Sequence, residues 1–230
     1  DSLAFLRKNR LGQVQACVMA GGSAVPISTP AIEAIFGTYG DVSNATGMAY
    51  MLNGHAFYQI SFPSANASWL YDNQSKCWSR LQSGTSGRHR ASMAAQLLGS
   101  VYATDFENGK LYRVSDGVYS DDGLVIPREF TSRHIASGNE LTISQLWLEV
   151  ESGTGVQMGQ GRNPQIMMQI SKDGGHEWGA ELCRDLGAVG KYKTRAIWNR
   201  LGRSRDWLFR FRVTDPVKTV FVAAYGRLSQ

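Results

Sequence analysis

Turn-forming pairs recur at short intervals along this chain and divide it into short apolar runs. Asn53-Gly54 is one such pair, because both residues tolerate the positive φ of a tight hairpin turn. Asn108-Gly109 and residues 73–76 interrupt the chain in the same way. Short runs joined by such turns predict antiparallel hairpins. We place them at Gly47–Leu52 with His55–Phe62, Ala67–Asp72 with Cys77–Leu81, and Ser100–Asp105 with Lys110–Ser115.

Further β-branched and aromatic runs predict more strands, and the pattern predicts one short helix. Thr29 is placed to cap this helix, Pro30 suits its first position and Gly37 ends it, with Ile32, Ile35 and Phe36 on its apolar side. The additional strands are predicted at Arg90–Leu97, Val125–His134, Leu141–Glu151, Pro164–Ser171, Trp178–Arg184, Trp207–Thr214 and Lys218–Tyr225.

Successive hairpins with almost no helix predict an all-β fold, a propeller-like meander of four-stranded antiparallel blades. A blade of this kind needs about 40–45 residues, so 230 residues supply roughly five blades. We therefore expect a single propeller-like domain over residues 1–230. Five blades are few for a closed ring and the first residue is not Met, so we expect this domain to be the C-terminal part of a larger propeller.

The stretch SKDGGHEW, residues 171–178, resembles the Asp box, a hairpin turn found in sialidases and other β-propellers. Ser171 and Asp173 can bond backbone amides, Gly175 permits an unusual φ, and Trp178 can pack back on the sheet. These four residues serve folding, so the stretch predicts a structural turn and says nothing about catalysis.

No constellation for catalysis, cofactor binding or metal binding is present in the sequence. The four histidines lack the spacing of a zinc site, and neither a nucleophile elbow nor a phosphate-binding loop occurs. No run of about 18 apolar residues predicts a membrane span. A pair of carboxylates of the glycosidase kind stays open, because sequence gives no distances between the 19 acidic residues.

The segment 191–212 is strongly basic and carries interleaved aromatic residues. It contains eight Lys or Arg residues and one acid, in a chain of net charge +5. Apolar residues and arginines alternate within residues 207–213. In a strand this pattern predicts that Phe209, Phe211 and Val213 face the core and that Arg210 and Arg212 face outward. Two interpretations follow: rim arginines paired with nearby carboxylates, or a surface for DNA phosphates or an acidic partner. The candidate residues for that surface are Arg200, Arg203, Arg205, Arg210 and Arg212.

The same segment, from Tyr192 to Pro216, resembles the closing part of the packaged-DNA stabilisation protein of short-tailed, P22-like phages. Shorter stretches agree with that family: residues 27–29, 54–58, 68–72 followed by Trp78, and 121–123. In this family a Ser-x-Asp-x-Gly-x-x-Trp turn often precedes the basic segment, as it does here. The resemblance extends from about Ile27 to Tyr225.

The resemblance implies a non-enzymatic virion protein, made in the bacterial host cytoplasm and built into the phage tail. It implies a tail-hub or nozzle ring, expected to be a hexamer of this chain, which closes the portal channel and stabilises packaged DNA. The expected partners are the portal adaptor, tail needle and tailspike proteins, with DNA in the channel and no membrane. The alternative is a sialidase-like or lectin-like carbohydrate-active propeller.

Overall fold

The computed structural model describes residues 3–229. Contacts within the chain divide it into two compact units, Asp1–Asp116 and Gly117–Gln230, which we call unit 1 and unit 2. Both units are built from antiparallel sheets, and the prediction of an all-β fold is confirmed. The single propeller-like domain over residues 1–230 stays a prediction, and the two units are described separately.

Within residues 3–116, unit 1 contains three sheets and one short helix. A three-stranded sheet has the order β1-β2-β3, a four-stranded sheet the order β4-β5-β6-β7, and a second three-stranded sheet the order β10-β9-β8. The elements are β1 (Ala4–Lys8), β2 (Val14–Ala20), β3 (Ser23–Pro26), α1 (Pro30–Gly37), β4 (Thr46–Leu52), β5 (His55–Phe62), β6 (Ala67–Asp72), β7 (Cys77–Leu81), β8 (Ala91–Leu97), β9 (Ser100–Asp105) and β10 (Leu111–Val114).

Local chemistry sets the ends of α1. The Thr29 hydroxyl accepts a hydrogen bond from the Ile32 amide at 3.4 Å, and Pro30 occupies the first turn, where its missing N–H costs nothing. Ile32 and Phe36 are buried, whereas Ile35 is 37% exposed. The predicted boundaries of the helix are therefore confirmed, but its buried side consists of Ile32 and Phe36 and does not include Ile35.

Aromatic side chains form the main core of unit 1. Phe36 is fully buried, and its ring centroid lies 4.9 Å from that of Phe62. Trp69 packs edge-on against Phe36 and donates its indole N–H to the Tyr39 hydroxyl at 2.8 Å. The rings tie α1 to the four-stranded sheet, because large aromatic surfaces supply much of the burial energy in a core.

Unit 2 is organised around one long strand. Its six-stranded sheet has the order β16-β15-β17-β14-β18, and β13 also pairs with β17; β11 and β12 form a separate two-stranded ribbon. The elements are β11 (Ser120–Asp121), β12 (Leu124–Val125), β13 (Arg128–Thr131), β14 (Ile135–Val150), β15 (Gln165–Ser171), β16 (Leu182–Asp185), β17 (Ala196–Val213) and β18 (Phe221–Ser229).

The two halves of β17 have different neighbours. Residues 196–207 pair with β14, whereas residues 208–213 lie between β13 and β15. Arg200 and Gly202 have positive φ angles of 59° and 93°, next to a register shift in the pairing with β14. Such bulges bend a strand. The core of unit 2 includes the fully buried side chains of Trp198, Trp207 and Phe211.

Several strand boundaries differ from the sequence prediction. Strands β1 to β3 precede the helix and were not predicted. The predicted strand at Val125–His134 is interrupted between β12 and β13, and that at Trp178–Arg184 shortens to Leu182–Asp185. Strand β17 begins at Ala196, well before the predicted start at Trp207. Among residues 3–229, no helix has the length and apolar character needed to cross a membrane.

Candidate functional site

The turn after β15 is closed by two short polar side chains. The Ser171 hydroxyl donates to Asp173 Oδ1 at 2.6 Å and accepts the Gly175 amide at 2.8 Å. Asp173 Oδ2 accepts the Glu177 amide at 2.9 Å. These bonds satisfy backbone donors inside the turn. The Ser171 hydroxyl and the Glu177 amide lower the pKa of the Asp173 carboxyl, because both bond its charged form.

Gly175 and Trp178 connect this turn to β17. The backbone at Gly175 has a φ of 100°, and a Cβ placed there would come within 3.2 Å of Leu208 Cδ1. The guanidinium carbon of Arg210 lies 3.8 Å from the centroid of the Trp178 ring, a cation–π geometry. The structure thus brings Ser171, Asp173, Gly175 and Trp178 together in one turn against β17.

The second half of β17 alternates between core and surface. Phe209, Phe211 and Val213 are buried, while Arg210 and Arg212 are partly exposed on the opposite face. This is the side-chain alternation that the sequence predicted for this stretch. Phe209 and Phe211 therefore serve the core, and the arginines between and after them are left for electrostatic contacts.

Three of the five candidate arginines have carboxylate partners. Arg203 Nε lies 2.8 Å from Glu140 Oε2, and Arg210 Nε lies 3.5 Å from Glu129 Oε1. Arg212 pairs with Glu181. Exposed pairs of this kind contribute about 0–1 kcal/mol each to stability. They match the first of the two interpretations of the basic segment, in which rim arginines pair with carboxylates.

Arg200 and Arg205 differ from the other three. Both are exposed, and neither forms an ion pair within the part of the chain that the structure describes. Lys172, in the turn after β15, is a further exposed cation that approaches the first half of β17. Its Nζ lies 4.9 Å from the centroid of the Trp207 ring and would be 2.9 Å from a Cβ at Gly202. The exposed cations on and beside the first half of β17 are Lys172, Arg200, Arg203 and Arg205, here called the β17 basic surface. Arg203 is the member with a carboxylate partner.

Sequence reasoning missed Lys172 and the carboxylate partners Glu129, Glu140 and Glu181. Lys172 is inside the turn motif, and only the contact between that turn and β17 adds it to the basic surface. The carboxylate partners depend on strand pairing, which the local pattern does not encode. Over residues 3–229, no group of three or more His, Cys, Asp or Glu side chains is arranged to hold a metal ion.

Comparisons with solved structures find weak likenesses. A protein titled "Glycoside hydrolase" aligns with a TM-score of 0.24 and 9% identity, covering 97% of this chain and 70% of that one. An exo-beta-1,3-galactanase from Phanerochaete chrysosporium, solved with beta-1,3-galactotriose, aligns with a TM-score of 0.22 and 10% identity, covering 98% and 68%. At such TM-scores neither likeness bears on fold or activity, so neither supports the carbohydrate-active alternative. No curated protein matches the chain.

Family models match nearly all of the sequence. The model described as bacteriophage P22 Gp10, beta-propeller, matches residues 1–119, within which unit 1 lies. The model described as bacteriophage P22 Gp10, beta-sandwich, matches residues 127–228, which lie within unit 2. The resemblance stated from the sequence is confirmed. The chain belongs to the bacteriophage P22 Gp10 family of phage stabilisation proteins and is a non-enzymatic phage structural protein.

Proposed function

We propose that this protein is a tail-hub or nozzle subunit that closes the portal channel and stabilises packaged DNA through the β17 basic surface. In this proposal the chain is made in the bacterial host cytoplasm and assembles with other copies of itself in a ring, expected to be a hexamer. Its other partners are the portal adaptor, tail needle and tailspike proteins. Membership of a phage stabilisation family supports the general role.

The observation that carries the DNA contact is the division among the arginines. Arg203, Arg210 and Arg212 each have a carboxylate partner, which leaves their charge largely compensated. Arg200 and Arg205 are exposed and have no carboxylate partner within residues 3–229. Uncompensated guanidinium groups are well suited to phosphates, because they present several N–H donors in a fixed plane.

A salt titration tests the contact. Binding of the purified chain to duplex DNA should weaken as salt rises, because each neutralised phosphate releases condensed counterions. Arg205→Ala should reduce the slope of log K against log salt concentration by about 1, the value expected for one lost phosphate contact. Arg200→Ala should act in the same way.

Arg162→Ala is the matched control. It removes the same charge from an exposed position of unit 2 that lies outside the β17 basic surface. Its slope should stay close to that of the parent chain. Two results would contradict a DNA contact at this surface. The first is that the affinity of the parent chain for DNA does not change with salt. The second is that Arg162→Ala reduces the slope of log K against log salt concentration as much as Arg200→Ala and Arg205→Ala do.

A further inference from the structure

Aromatic side chains cross neighbouring strands on one face of the six-stranded sheet of unit 2. Trp147 of β14 lies opposite Tyr225 of β18 and opposite Ile197 of β17. Leu148, the next residue of β14, is buried in the core of unit 2, so the alternation of a strand places Trp147 and its two neighbours on the face that points away from that core. The rings of Trp147 and Tyr225 stack with their centroids 5.5 Å apart and their planes at 20°, and neither ring is buried.

Charged residues lie beside this aromatic row. Glu149 is two residues beyond Trp147 in β14, and Arg195 is two residues before Ile197. Because Trp147 pairs with Ile197, continuing the register by two residues brings Glu149 opposite Arg195 on the same face. Trp147, Glu149 and Arg195 all line a cleft of about 530 Å³. Clefts of about 300–1,000 Å³ are large enough for small ligands.

Two side chains of the cleft keep hydrogen-bonding groups that no protein atom uses. The indole N–H of Trp147 has no acceptor within residues 3–229, whereas four of the six tryptophans of the chain donate theirs: Trp69, Trp78, Trp198 and Trp207. Glu149 Oε2 accepts the Tyr225 hydroxyl at 3.3 Å, which leaves Oε1 without a hydrogen bond in the described part of the chain. The cleft therefore offers a ligand one free donor and one free acceptor beside the stacked rings.

The cleft carries more positive than negative charge. Its lining contains Lys193, Arg195 and a single carboxylate, Glu149. Neither cation forms an ion pair among the residues that the structure describes, and Glu151, the next acid along β14, is paired with Lys218 at 2.8 Å. A ligand with negative charge would therefore complement the cleft.

A sugar that bears a carboxylate matches these features together. One face of its ring consists of C–H groups, which pack well against aromatic rings. Its hydroxyl groups both donate and accept, as the Trp147 N–H and the free oxygen of Glu149 require. Its carboxylate can accept two parallel N–H groups from the guanidinium of Arg195. An oligonucleotide matches less well, because the Glu149 carboxylate would repel its phosphates.

We propose that this face of unit 2 binds a carboxylate-bearing saccharide without cleaving it, through a site that we call the β14 platform: Trp147, Glu149, Arg195 and Tyr225. The two aromatic rings hold the C–H face of the sugar, Glu149 accepts its hydroxyl groups and Arg195 binds its carboxylate. The site goes beyond the proposed function, because it uses none of the residues of the β17 basic surface. It also differs from a carbohydrate-active propeller, since it lies in unit 2 and only binds.

A glycan array tests the proposal. The labelled full chain is applied to oligosaccharides printed in pairs, in which each carboxylate-bearing sugar stands beside its carboxyl-reduced form. The chain should bind members of the carboxylate-bearing set. Calorimetric titration of the best of them should give a Kd about tenfold lower than that of its reduced form, because reduction removes one charge-assisted contact.

Two substitutions separate the contribution of the ring from that of the charge. Trp147→Ala should raise the Kd of both forms of the sugar by about tenfold or more, because it removes the surface on which the ring packs. Arg195→Gln should raise the Kd of the carboxylate form by about tenfold and leave that of the reduced form nearly unchanged. Arg133→Gln is the matched control, which removes the same charge from an exposed position of unit 2 outside the platform and should bind as the parent does.

A urea titration checks that the variants remain folded, and saturation-transfer NMR gives a second measurement on the unchanged chain. The ring C–H protons on one face of the sugar should receive the most saturation, because they face Trp147 and Tyr225. An array on which no sugar binds, or a Kd that either carboxyl reduction or Trp147→Ala leaves unchanged, would overturn the proposal. A single-stranded oligothymidylate that displaces the sugar and loses its own affinity in Trp147→Ala would place a nucleic acid on the platform and overturn it as well.

Discussion

A hydroxyl and a carboxylate close the turn after β15 without help from distant parts of the chain. Ser171 and Asp173 are two residues apart, and the amides that they bond follow within four residues. Contacts of this kind depend on spacing alone, so the sequence predicts them. The stacking of Arg210 on Trp178 is different, because it depends on which strand lies beside the turn. Spacing does not specify that partner.

The two glycines of this turn should differ in their tolerance of a side chain. Gly174 has a φ of 75° and open space around it, whereas Gly175 has a φ of 100°, and a methyl group added there would lie 3.2 Å from Leu208 Cδ1. Gly174→Ala should therefore cost about 1 kcal/mol of unfolding free energy from backbone strain alone. Gly175→Ala should cost about 2 kcal/mol or more, because strain and crowding add. Urea midpoints measure both, and equal losses would contradict the role of Leu208.

The pair formed by His55 and Asp72 should make stability depend on pH in the acid range. Partial burial raises the pKa of the Asp72 carboxyl, but hydrogen bonds from the Gln74 amide, the Ser75 hydroxyl and His55 outweigh burial and bring this pKa down to about 2. An unfolded Asp has a pKa of about 3.9. The ionised Asp72 carboxyl therefore stabilises the folded state above about pH 4, and this stabilisation is lost as pH falls towards 2.

Asp72→Asn should remove that part of the pH dependence. The urea midpoint of the parent chain should decline more steeply between pH 4 and pH 2 than that of the variant. Identical slopes below pH 4 would show that the Asp72 carboxyl is not held by these hydrogen bonds.

Strand β17 shows where prediction from sequence succeeds and where it stops at the scale of one element. Residues 207–213 alternate aromatic and charged side chains, and this half was predicted with its buried face. Residues 196–206 belong to the same strand but break the alternation, because Arg200 and Gly202 adopt positive φ angles at a bulge. A bulge shifts the side chains that follow it to the other face. A period-two pattern therefore cannot be recognised across it.

Truncation of a buried aromatic residue in β17 should strongly destabilise unit 2. Phe211 is 1% exposed and stacks with Phe130, their ring centroids 4.9 Å apart. Phe211→Ala should lower the unfolding free energy by about 3–5 kcal/mol. Its neighbour Arg212 is partly exposed, so Arg212→Ala should cost only about 0–1 kcal/mol. Denaturant titration of both variants measures the contrast, and similar losses would place Phe211 outside the core.

At the scale of the whole molecule, local pattern predicts strands but not their assembly into sheets. The hairpin β4–β5 follows from Asn53-Gly54, whereas the order β16-β15-β17-β14-β18 joins strands that are distant along the chain. Pairing of this kind depends on burial and register across the full length of unit 2. Strands β1 to β3 escaped prediction for a related reason. Their alternation is weak, and β1 is recognised as a strand only through its pairing with β2.

The division into two units and the single domain over residues 1–230 predict different unfolding behaviour. Each unit has its own buried core: that around Phe36 and Phe62 in unit 1, and that around Trp198 and Phe211 in unit 2. A core of its own is what allows a segment to fold alone. Fragments 1–116 and 117–230, expressed separately, should therefore each give one cooperative urea transition.

Phe211→Ala provides the decisive comparison. In fragment 117–230 it should lower the urea midpoint. In the full chain it should speed amide hydrogen exchange in unit 2 and leave exchange in unit 1 unchanged, because only the core of unit 2 has lost packing contacts. A single cooperative domain would respond differently: neither fragment would show a cooperative transition, and the substitution would speed exchange in both units equally. Hydrogen exchange on the full chain thus separates the two organisations even if one fragment proves insoluble.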